Sequence, residues 1–160
     1  MSHGFTMPIC ILANDIDVPM NVGSLFRLAD ALGVEKIYLT GRTIRPPNRK
    51  IRKTSRSTEN IVSYEESDNP ILVVNELKKK GYKIFSLEIT SDSVDIRAAE
   101  FEPNDKVCLI VGSENLGVSP ELLAISDQSL HIPMYGRNSS MNVASACSIA
   151  VFEIIRRIVP

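Results

Sequence analysis

The chain has 160 residues, 44% of them hydrophobic and 23% charged, which suits one globular domain with a sizeable core. No apolar run approaches the roughly 20 residues of a membrane span, and the N-terminus lacks the basic start and apolar core of a signal peptide, so a soluble, cytoplasmic protein is expected. The formal net charge of −1 by itself argues against a nucleic-acid binder, although the average hides an uneven distribution of basic residues.

The first elements alternate between strand and helix patterns. Residues 1–6 are expected to form a disordered lead to a single domain that spans the chain. The run "ICILAN" (9–14) predicts a short buried strand, and the alternation of "VEKIYLTG" (34–41) predicts a second one. Between them, apolar residues at helical spacing predict a helix over 20–33, which Gly33 is suited to end.

The segment from Arg42 to Arg56 is strongly basic, with seven Lys or Arg residues and no acidic one. Its two prolines, Pro46 and Pro47, predict an interruption of regular structure. A solvated, flexible loop is one interpretation of such a charge run. Contact with phosphates is the favoured one, because a concentrated basic segment on a neutral body attracts nucleic acid. The basic residues are Arg42, Arg45, Arg49, Lys50, Arg52, Lys53 and Arg56.

The remaining elements continue the alternation. Asn69 as a cap and Pro70 at the first helical position predict a helix that ends near Gly81. Further predictions are strands over 82–89, 106–112 and 128–134, a short helix over 119–125, and a final apolar helix over 142–158. Nearly continuous apolar strands between helices indicate an α/β domain with a mainly parallel sheet covered by helices on both faces.

Polar loops follow three of the predicted strands: "AND" (13–15), "GSENLG" (112–117) and "YGRNSSMN" (135–142). Ligands of such sheets bind outside the carboxyl ends of the strands. We therefore expect the three loops to converge at one edge of the sheet.

The three cysteines, Cys10, Cys108 and Cys147, are far apart and stand among apolar neighbours. Their spacing fits neither a disulfide framework nor a metal site. We expect buried thiols that behave as small hydrophobic residues, and no metal.

Asn21 and Arg27 stand six positions apart in the first predicted helix. Purely structural roles are available, with Asn21 capping the helix and Arg27 pairing with a surface acid. An arginine flanked by apolar residues near a helix start is also suited to hold a phosphate. On local grounds the two interpretations are evenly balanced.

Two later stretches carry more polar groups than a turn requires. Glu114 lies between two glycines, and a tight turn with a solvated glutamate is the simplest interpretation, since neither GxGxxG nor a Walker lysine is present. Ser139, Ser140 and Asn142 precede the final helix, where one cap is sufficient. His131 is expected to be an ordinary, partly buried histidine.

In order and spacing these stretches resemble the three motifs of the SpoU/TrmH branch of the SPOUT superfamily of RNA methyltransferases. The run "NVGSLFRLADALGV" (21–34) is similar to the first motif, "LIVGSENLGVS" (109–119) to the second, and "IPMYGRNSSMNVASACSIAVFE" (132–153) to the third. The resemblance extends from about Ile9 to Ile158.

The resemblance implies a deep C-terminal trefoil knot, a homodimer, S-adenosylmethionine bound in the knot, and methyl transfer to a ribose 2′-hydroxyl of tRNA or rRNA. It implies that the basic segment docks the RNA, and that Arg27 is either a general base or the group that orients an RNA phosphate. The implied catalytic residues are Arg27, Asn21, Glu114, Ser140 and Asn142. The implied cofactor contacts are Leu87, Gly112, Ile132, Met134, Ser140 and Met141.

Three other functions stay open: a base methyltransferase on the same fold, a non-catalytic RNA-binding protein, and a nucleotide-binding α/β protein unrelated to RNA. The third motif disfavours the first of these, and the joint presence of Arg27, Glu114, Ser140 and Asn142 disfavours the second. The third would leave the basic segment unexplained, and the chain lacks the phosphate-binding signatures such proteins use.

Overall fold

Seven parallel strands form one sheet in the computed structural model, which describes residues 5–160. The strands are β1 (Met7–Asn14), β2 (Val34–Thr40), β3 (Tyr64–Ser67), β4 (Lys83–Leu87), β5 (Val94–Asp95), β6 (Val107–Val111) and β7 (Gln128–His131). Their order across the sheet is β3-β2-β1-β6-β4-β7-β5, and each neighbouring pair runs parallel. The predicted α/β fold with a parallel sheet is confirmed.

Helices cover both faces of this sheet. They are α1 (Pro19–Leu32), α2 (Arg49–Ser55), α3 (Pro70–Lys79), α4 (Pro120–Ile125) and α5 (Val143–Ile158). Alternate residues of β1 belong to two different cores: Ile9 and Ile11 pack with α1, α2 and α5, whereas Cys10 and Leu12 pack with α3 and α4. Because the strand is buried on both faces, its sequence is a continuous apolar run.

Capping residues set the ends of the helices where the sequence predicts them. Asn69 accepts a hydrogen bond from the N–H of Leu72 at 3.1 Å, and Pro70 occupies the first turn of α3. Gly33 ends α1 in the left-handed conformation, at φ +72°, which glycine adopts at little cost.

The short helix α2 lies inside the basic segment and is missed by the sequence patterns. The predicted interruption of regular structure is present around Pro46 and Pro47 but ends at Asn48. Asn48 caps α2, since its side-chain oxygen accepts hydrogen bonds from the N–H groups of Lys50 and Ile51 at 2.8 and 3.1 Å. Its seven residues are too few to show a clear helical period. The edge strands β3 and β5, four and two residues long, are missed for the same reason.

The strand predicted over 128–134 is shorter than expected and ends at His131. Pro133 has no N–H to donate to a strand ladder, so the chain from Ile132 to Asn142 forms a long loop before α5. At the other terminus, the expected disordered lead falls largely outside the described residues, and β1 begins at Met7.

The cysteines are buried and carry free thiols, as the sequence predicts. Cys10 and Cys108 are register partners on β1 and β6. Burial raises the pKa of the Cys147 thiol to about 12.

Within residues 5–160, none of the helices is both long and apolar enough to span a membrane.

Candidate active site

A cavity of about 850 Å³ opens at the carboxyl ends of β4, β6 and β7, which are neighbours in the sheet. Its walls are formed by residues within 87–89, 111–117 and 130–146, and by Val18 and Asn21 at the start of α1. This is the position at which parallel sheets bind ligands, because the loops after adjacent strands meet there.

All three polar loops follow parallel strands and lie at this edge of the sheet, as expected, but only two of them line the cavity, and the "AND" loop does not. Asn14 accepts a hydrogen bond from Thr40 Oγ1 at 3.0 Å, and Asp15 accepts from the N–H of Arg42 at 2.8 Å. These residues therefore fasten β1 to the loop after β2. The loop after β4 takes their place in the cavity wall.

The residues predicted to contact a cofactor come together in this one cavity. They come from all three of its loops, although they are spread over more than fifty positions of the chain. All six line the cavity: Leu87, Gly112, Ile132, Met134, Ser140 and Met141.

The loop from Gly112 to Gly117 turns so tightly that its backbone forms part of the wall. The N–H of Ser113 donates to the carbonyl of Gly117 at 3.1 Å, and the N–H of Gly117 donates back to Ser113 at 2.8 Å. A Cβ at Gly112 would lie 2.3 Å from the Gly117 carbonyl oxygen, and Gly117 has φ +72°. Glycine at both positions lets the loop close this tightly.

Glu114 joins this loop to the start of α1. Its carboxylate accepts hydrogen bonds from the backbone N–H groups of Asp17 and Val18, both at 3.1 Å, and from Asn21 Nδ2 at 2.9 Å. Val18, at the N-cap position of α1, makes no side-chain capping bond. Glu114 supplies the acceptor and the negative charge that a helix N-terminus favours. Its interpretation as a merely solvated turn residue is wrong.

Asn21 links Glu114 to the third motif. Asn142 Nδ2 donates to Asn21 Oδ1 at 3.0 Å, while Asn142 Oδ1 caps α5 by accepting from the N–H groups of Ala144 and Ser145. Asn21 is 9% exposed and lies within α1, so it does not cap that helix. The three residues form a connected network, called the amide–carboxylate network below. Ser140 lies in the same wall, exposed and outside this network.

Arg27 is not brought to the cavity of its own chain. It is exposed on α1, and its side chain makes no hydrogen bond or ion pair with any residue in the described part, so the surface ion pair considered from sequence is wrong. One helical turn earlier, Gly23 packs against α2, where an added Cβ would lie 2.0 Å from Thr54 Oγ1. Because positions four apart share a helix face, Arg27 lies on the side of α1 that faces α2.

The basic segment divides into two parts. Arg42 lies 3.3 Å from Asp17 and 3.8 Å from Asp15, and its hydrogen bond to Asp17 raises the pKa of its guanidinium. Arg45 pairs with Asp68 at 3.1 Å and donates to two backbone carbonyls of its own loop. The five others lie on or beside α2, exposed and without an ion pair to any described residue: Arg49, Lys50, Arg52, Lys53 and Arg56.

Comparison with known proteins decides the family. The model of the SpoU rRNA Methylase family matches residues 8–152, which include the first two motifs, the third motif as far as Phe152, and every wall of the cavity. The chain belongs to the SpoU methylase family.

Relatives of this SpoU-family chain include enzymes named for tRNA and for rRNA. It is 31% identical over 150 residues to the tRNA (guanosine(18)-2'-O)-methyltransferase of Aquifex aeolicus, and the alignment covers 93% of this chain and 69% of that protein. It is 29% identical over 144 residues to the 23S rRNA (guanosine(2553)-2'-O)-methyltransferase of Bacillus subtilis, and the alignment covers 90% of this chain and 56% of that protein.

A solved structure shares the fold. The crystal structure of an AdoMet-bound rRNA methyltransferase from Sinorhizobium meliloti superposes with a TM-score of 0.87 at 25% identity, covering 97% of this chain and 58% of that one. Across these three comparisons the SpoU-family chain spans between 56% and 69% of the length of its relatives.

Glu88 is a cavity residue of this SpoU-family chain that the sequence patterns do not single out. It directly follows β4, and its Oε1 accepts a hydrogen bond from the N–H of Val118 at 2.8 Å. Gly117 packs against the carboxylate, since a Cβ there would lie 2.2 Å from Oε1. The sequence could have indicated Glu88 only through its position as the first residue after a buried strand, where parallel sheets place ligand-binding groups.

His131 also lines the cavity of the SpoU-family chain and is partly buried, as expected. Its Nδ1 lies 2.9 Å from Ser93 Oγ, and that hydroxyl also lies 3.0 Å from the carbonyl oxygen of Thr90. When the hydroxyl donates to Thr90, it accepts from Nδ1–H of the imidazole. This arrangement anchors the ring in the wall of the cavity.

Proposed function

We propose that the chain transfers a methyl group from S-adenosylmethionine to a ribose 2′-hydroxyl of tRNA or rRNA. The convergence of the three SpoU motifs on one cavity, joined by the amide–carboxylate network, carries the proposal. The names of the relatives describe 2′-O-methylation of tRNA in one case and of rRNA in the other, so either RNA is a candidate substrate.

The cavity suits the cofactor in size and in chemistry. Its volume of about 850 Å³ lies within the range of roughly 300–1,000 Å³ for ligand pockets. Leu87, Ile132 and Met134 offer apolar surface for an adenine ring, and the carboxylates of Glu88 and Glu114 suit a cation. When bound, S-adenosylmethionine supplies a methyl group attached to a positively charged sulfur.

The protein side of the reaction is positioning and proton removal. The amide–carboxylate network fixes the starts of α1 and α5 against the cavity, and Ser140 presents a hydroxyl in its wall. Arg27 either accepts the proton of the ribose hydroxyl or orients an RNA phosphate beside it. The second role agrees better with a guanidinium, which stays protonated in proteins.

The active unit in this proposal is a homodimer. The outer face of α5 exposes Ile149 by 45% and Phe152 by 61%, and α1 exposes Met20 by 48%. Because α1 and α5 pack against each other, these side chains lie on neighbouring helices. Arg27 is also on α1, and its separation from the cavity of its own chain is accounted for if a second copy presents it.

The proposal includes a trefoil knot near the C-terminus and a cytoplasmic location, where tRNA and rRNA are present. The path of the chain supports the knot. After β7, close to one edge of the sheet, the loop 132–142 passes the cavity and returns to α5, which packs on β1 and β6 at the sheet centre.

RNA docks on α2 and the start of the following turn in this proposal. The five basic residues there are free of internal ion pairs within the described chain, whereas the charges of Arg42 and Arg45 are already offset by acids. Such a surface gives salt-sensitive affinity that does not depend on base sequence.

The direct test is transfer of labelled methyl from S-adenosylmethionine to unmodified bulk tRNA and, separately, to rRNA. Label in one of the two pools would establish methyl transfer to RNA and select the RNA, and its recovery in an alkali-resistant dinucleotide would establish that the ribose 2′-hydroxyl accepts the methyl. Absence of both transfer and cofactor binding would contradict the enzyme proposal and leave an RNA-binding protein on the same fold.

A further inference from the structure

Glu88 is a cavity carboxylate that makes no ion pair with any residue in the described range 5–160. The described residues that line the cavity include two carboxylates, Glu88 and Glu114, and neither lysine nor arginine. Glu114 accepts three hydrogen bonds from the start of α1. The partial positive charge at the N-terminus of that helix therefore offsets part of the negative charge of the carboxylate. Glu88 accepts one side-chain hydrogen bond, from the N–H of Val118.

The second oxygen of Glu88 is available to a ligand. Oε2 has no hydrogen-bond partner among the described residues, and it is not sealed away from solvent. The residue is also held firmly, because its own N–H donates to the carbonyl of Leu130 on β7 at 2.9 Å. Glu88 therefore presents a fixed acceptor with a full negative charge to the cavity.

The donor and the product of the proposed reaction differ by one charge. S-adenosylmethionine carries a sulfonium and an ammonium against one carboxylate, which gives a net charge of about +1, whereas S-adenosylhomocysteine has a neutral thioether and a net charge of about zero. Among the described residues, the lining of one chain holds no lysine or arginine, and its one basic side chain is His131. There the Glu88 carboxylate interacts more favourably with the cation than with the neutral product, and partial burial strengthens that difference.

We propose that Glu88 is a specificity-determining residue of the cofactor site, whose carboxylate favours the cationic methyl donor over the neutral product. This inference rests on the proposed function. Its consequence is that loss of the sulfonium charge weakens binding after transfer, so product leaves and fresh donor enters. Oε1 has a separate task, since its bond to Val118 holds the loop from Gly112 to Gly117 in place.

Calorimetric titration of the whole chain with S-adenosylmethionine, its stable cationic analogue sinefungin, and S-adenosylhomocysteine tests the inference. Glu88→Gln removes the charge and keeps an oxygen that accepts from Val118, so the loop is preserved. We expect a roughly tenfold loss of affinity for both cations, the size of one lost charge-assisted contact. Affinity for S-adenosylhomocysteine should change much less.

The matched control is Glu76→Gln, an identical change of charge on the exposed surface of α3, outside the cavity. It should leave all three affinities unchanged. Equal losses for the three ligands in Glu88→Gln, or no loss at all, would overturn the role of Glu88 while the proposed function stands. A wild-type chain that binds none of the three would overturn both.

Discussion

Asn142 is the residue whose side chain connects most of the site. Its carbonyl oxygen caps α5 through two N–H groups, and its amide nitrogen donates to Asn21, which in turn donates to Glu114. A single side chain thereby holds the third motif to the first and, through Asn21, to the second. The surplus of polar residues before α5 is explained in part by these two simultaneous tasks.

Asn142→Ala should destabilise the protein by about 1–2 kcal/mol, because the cap of α5 is lost and Asn21 loses a partner. Urea unfolding followed by circular dichroism measures the difference. Asn138→Ala is the matched control, since Asn138 is exposed in the same loop and makes no side-chain hydrogen bond within residues 5–160. Equal stability of the two variants would show that the network contributes nothing to the fold.

Arg27→Ala should abolish methyl transfer and largely spare the affinity for S-adenosylmethionine, because the proposed cofactor contacts come from the cavity loops and the proposed role of Arg27 is toward the RNA. Turnover and calorimetric binding, measured on the same preparation, separate the two effects. Lys79→Ala, a basic residue on α3, serves as the control and should keep full turnover. An Arg27→Ala variant that retains near-normal turnover would remove Arg27 from the proposed machinery.

Sequence alone reaches the identities of these site residues but not their contacts. The motif resemblance leads to Asn21, Glu114 and Asn142, all of which the structure joins in one network. No local pattern predicts that Glu114 binds the start of α1, because the partners are almost a hundred positions apart. Glu88 has no motif at all, and its role emerges only when β4 and β6 are placed side by side.

At the scale of elements, the close approach of α1 and α2 sets the orientation of α2 and therefore of the five exposed basic residues on or beside it. Gly23 is the contact point, since a Cβ there would lie 2.0 Å from Thr54 Oγ1 and 2.3 Å from the Ile51 carbonyl oxygen. Thr54 Oγ1 also donates to the carbonyl of Met20 at 2.7 Å, which ties the two helices together. The orientation of α2 therefore depends on a glycine in α1.

Gly23→Ala should push α2 away from α1 and cost about 1–3 kcal/mol of stability, as overpacking does. RNA affinity should fall with it, whereas cofactor affinity should change little, because α2 does not line the cavity. The control is Gly136→Ala, where a Cβ meets nothing within 4 Å. Wild-type stability in Gly23→Ala would mean that α2 can shift without cost.

Arg49→Glu combined with Arg52→Glu should weaken RNA binding and reduce the slope of log affinity against log salt by roughly two. Filter binding over a series of salt concentrations measures both quantities. Lys78→Glu with Lys79→Glu applies the same change of charge at the end of α3 and should have a much smaller effect. Parallel loss of RNA and cofactor binding in the first variant would indicate misfolding instead of lost contacts.

The elements that sequence predicts well are those with many apolar residues at regular helical spacing or with a strong capping residue. Helix α1 shows the first signal, and α3 shows the second in Asn69 and Pro70. Short elements escape prediction because two to seven residues carry too little pattern, as α2, β3 and β5 show. They form because β3 and β5 pair with the neighbouring strands β2 and β7, and because α2 buries Ile51 and Ser55, and that information is tertiary.

At the scale of the whole molecule, the proposed homodimer would account both for the exposed apolar side chains of α1 and α5 and for the distance of Arg27 from the cavity of its own chain. Phe152→Glu places a charge on the proposed interface and should convert the dimer to a monomer with little transfer activity. Light scattering coupled to size-exclusion chromatography measures the mass. A wild-type chain that elutes as a monomer and still transfers methyl groups would contradict the dimer.

The central claim is that the methyl group goes to a ribose oxygen, and the position of the methyl in the product tests it most directly. RNA labelled by the wild-type protein is hydrolysed with alkali, which cleaves each linkage that has a free 2′-hydroxyl. We predict that the label is recovered in an alkali-resistant dinucleotide. Label recovered in single nucleotides as a methylated base would contradict the claim and make the protein a base methyltransferase.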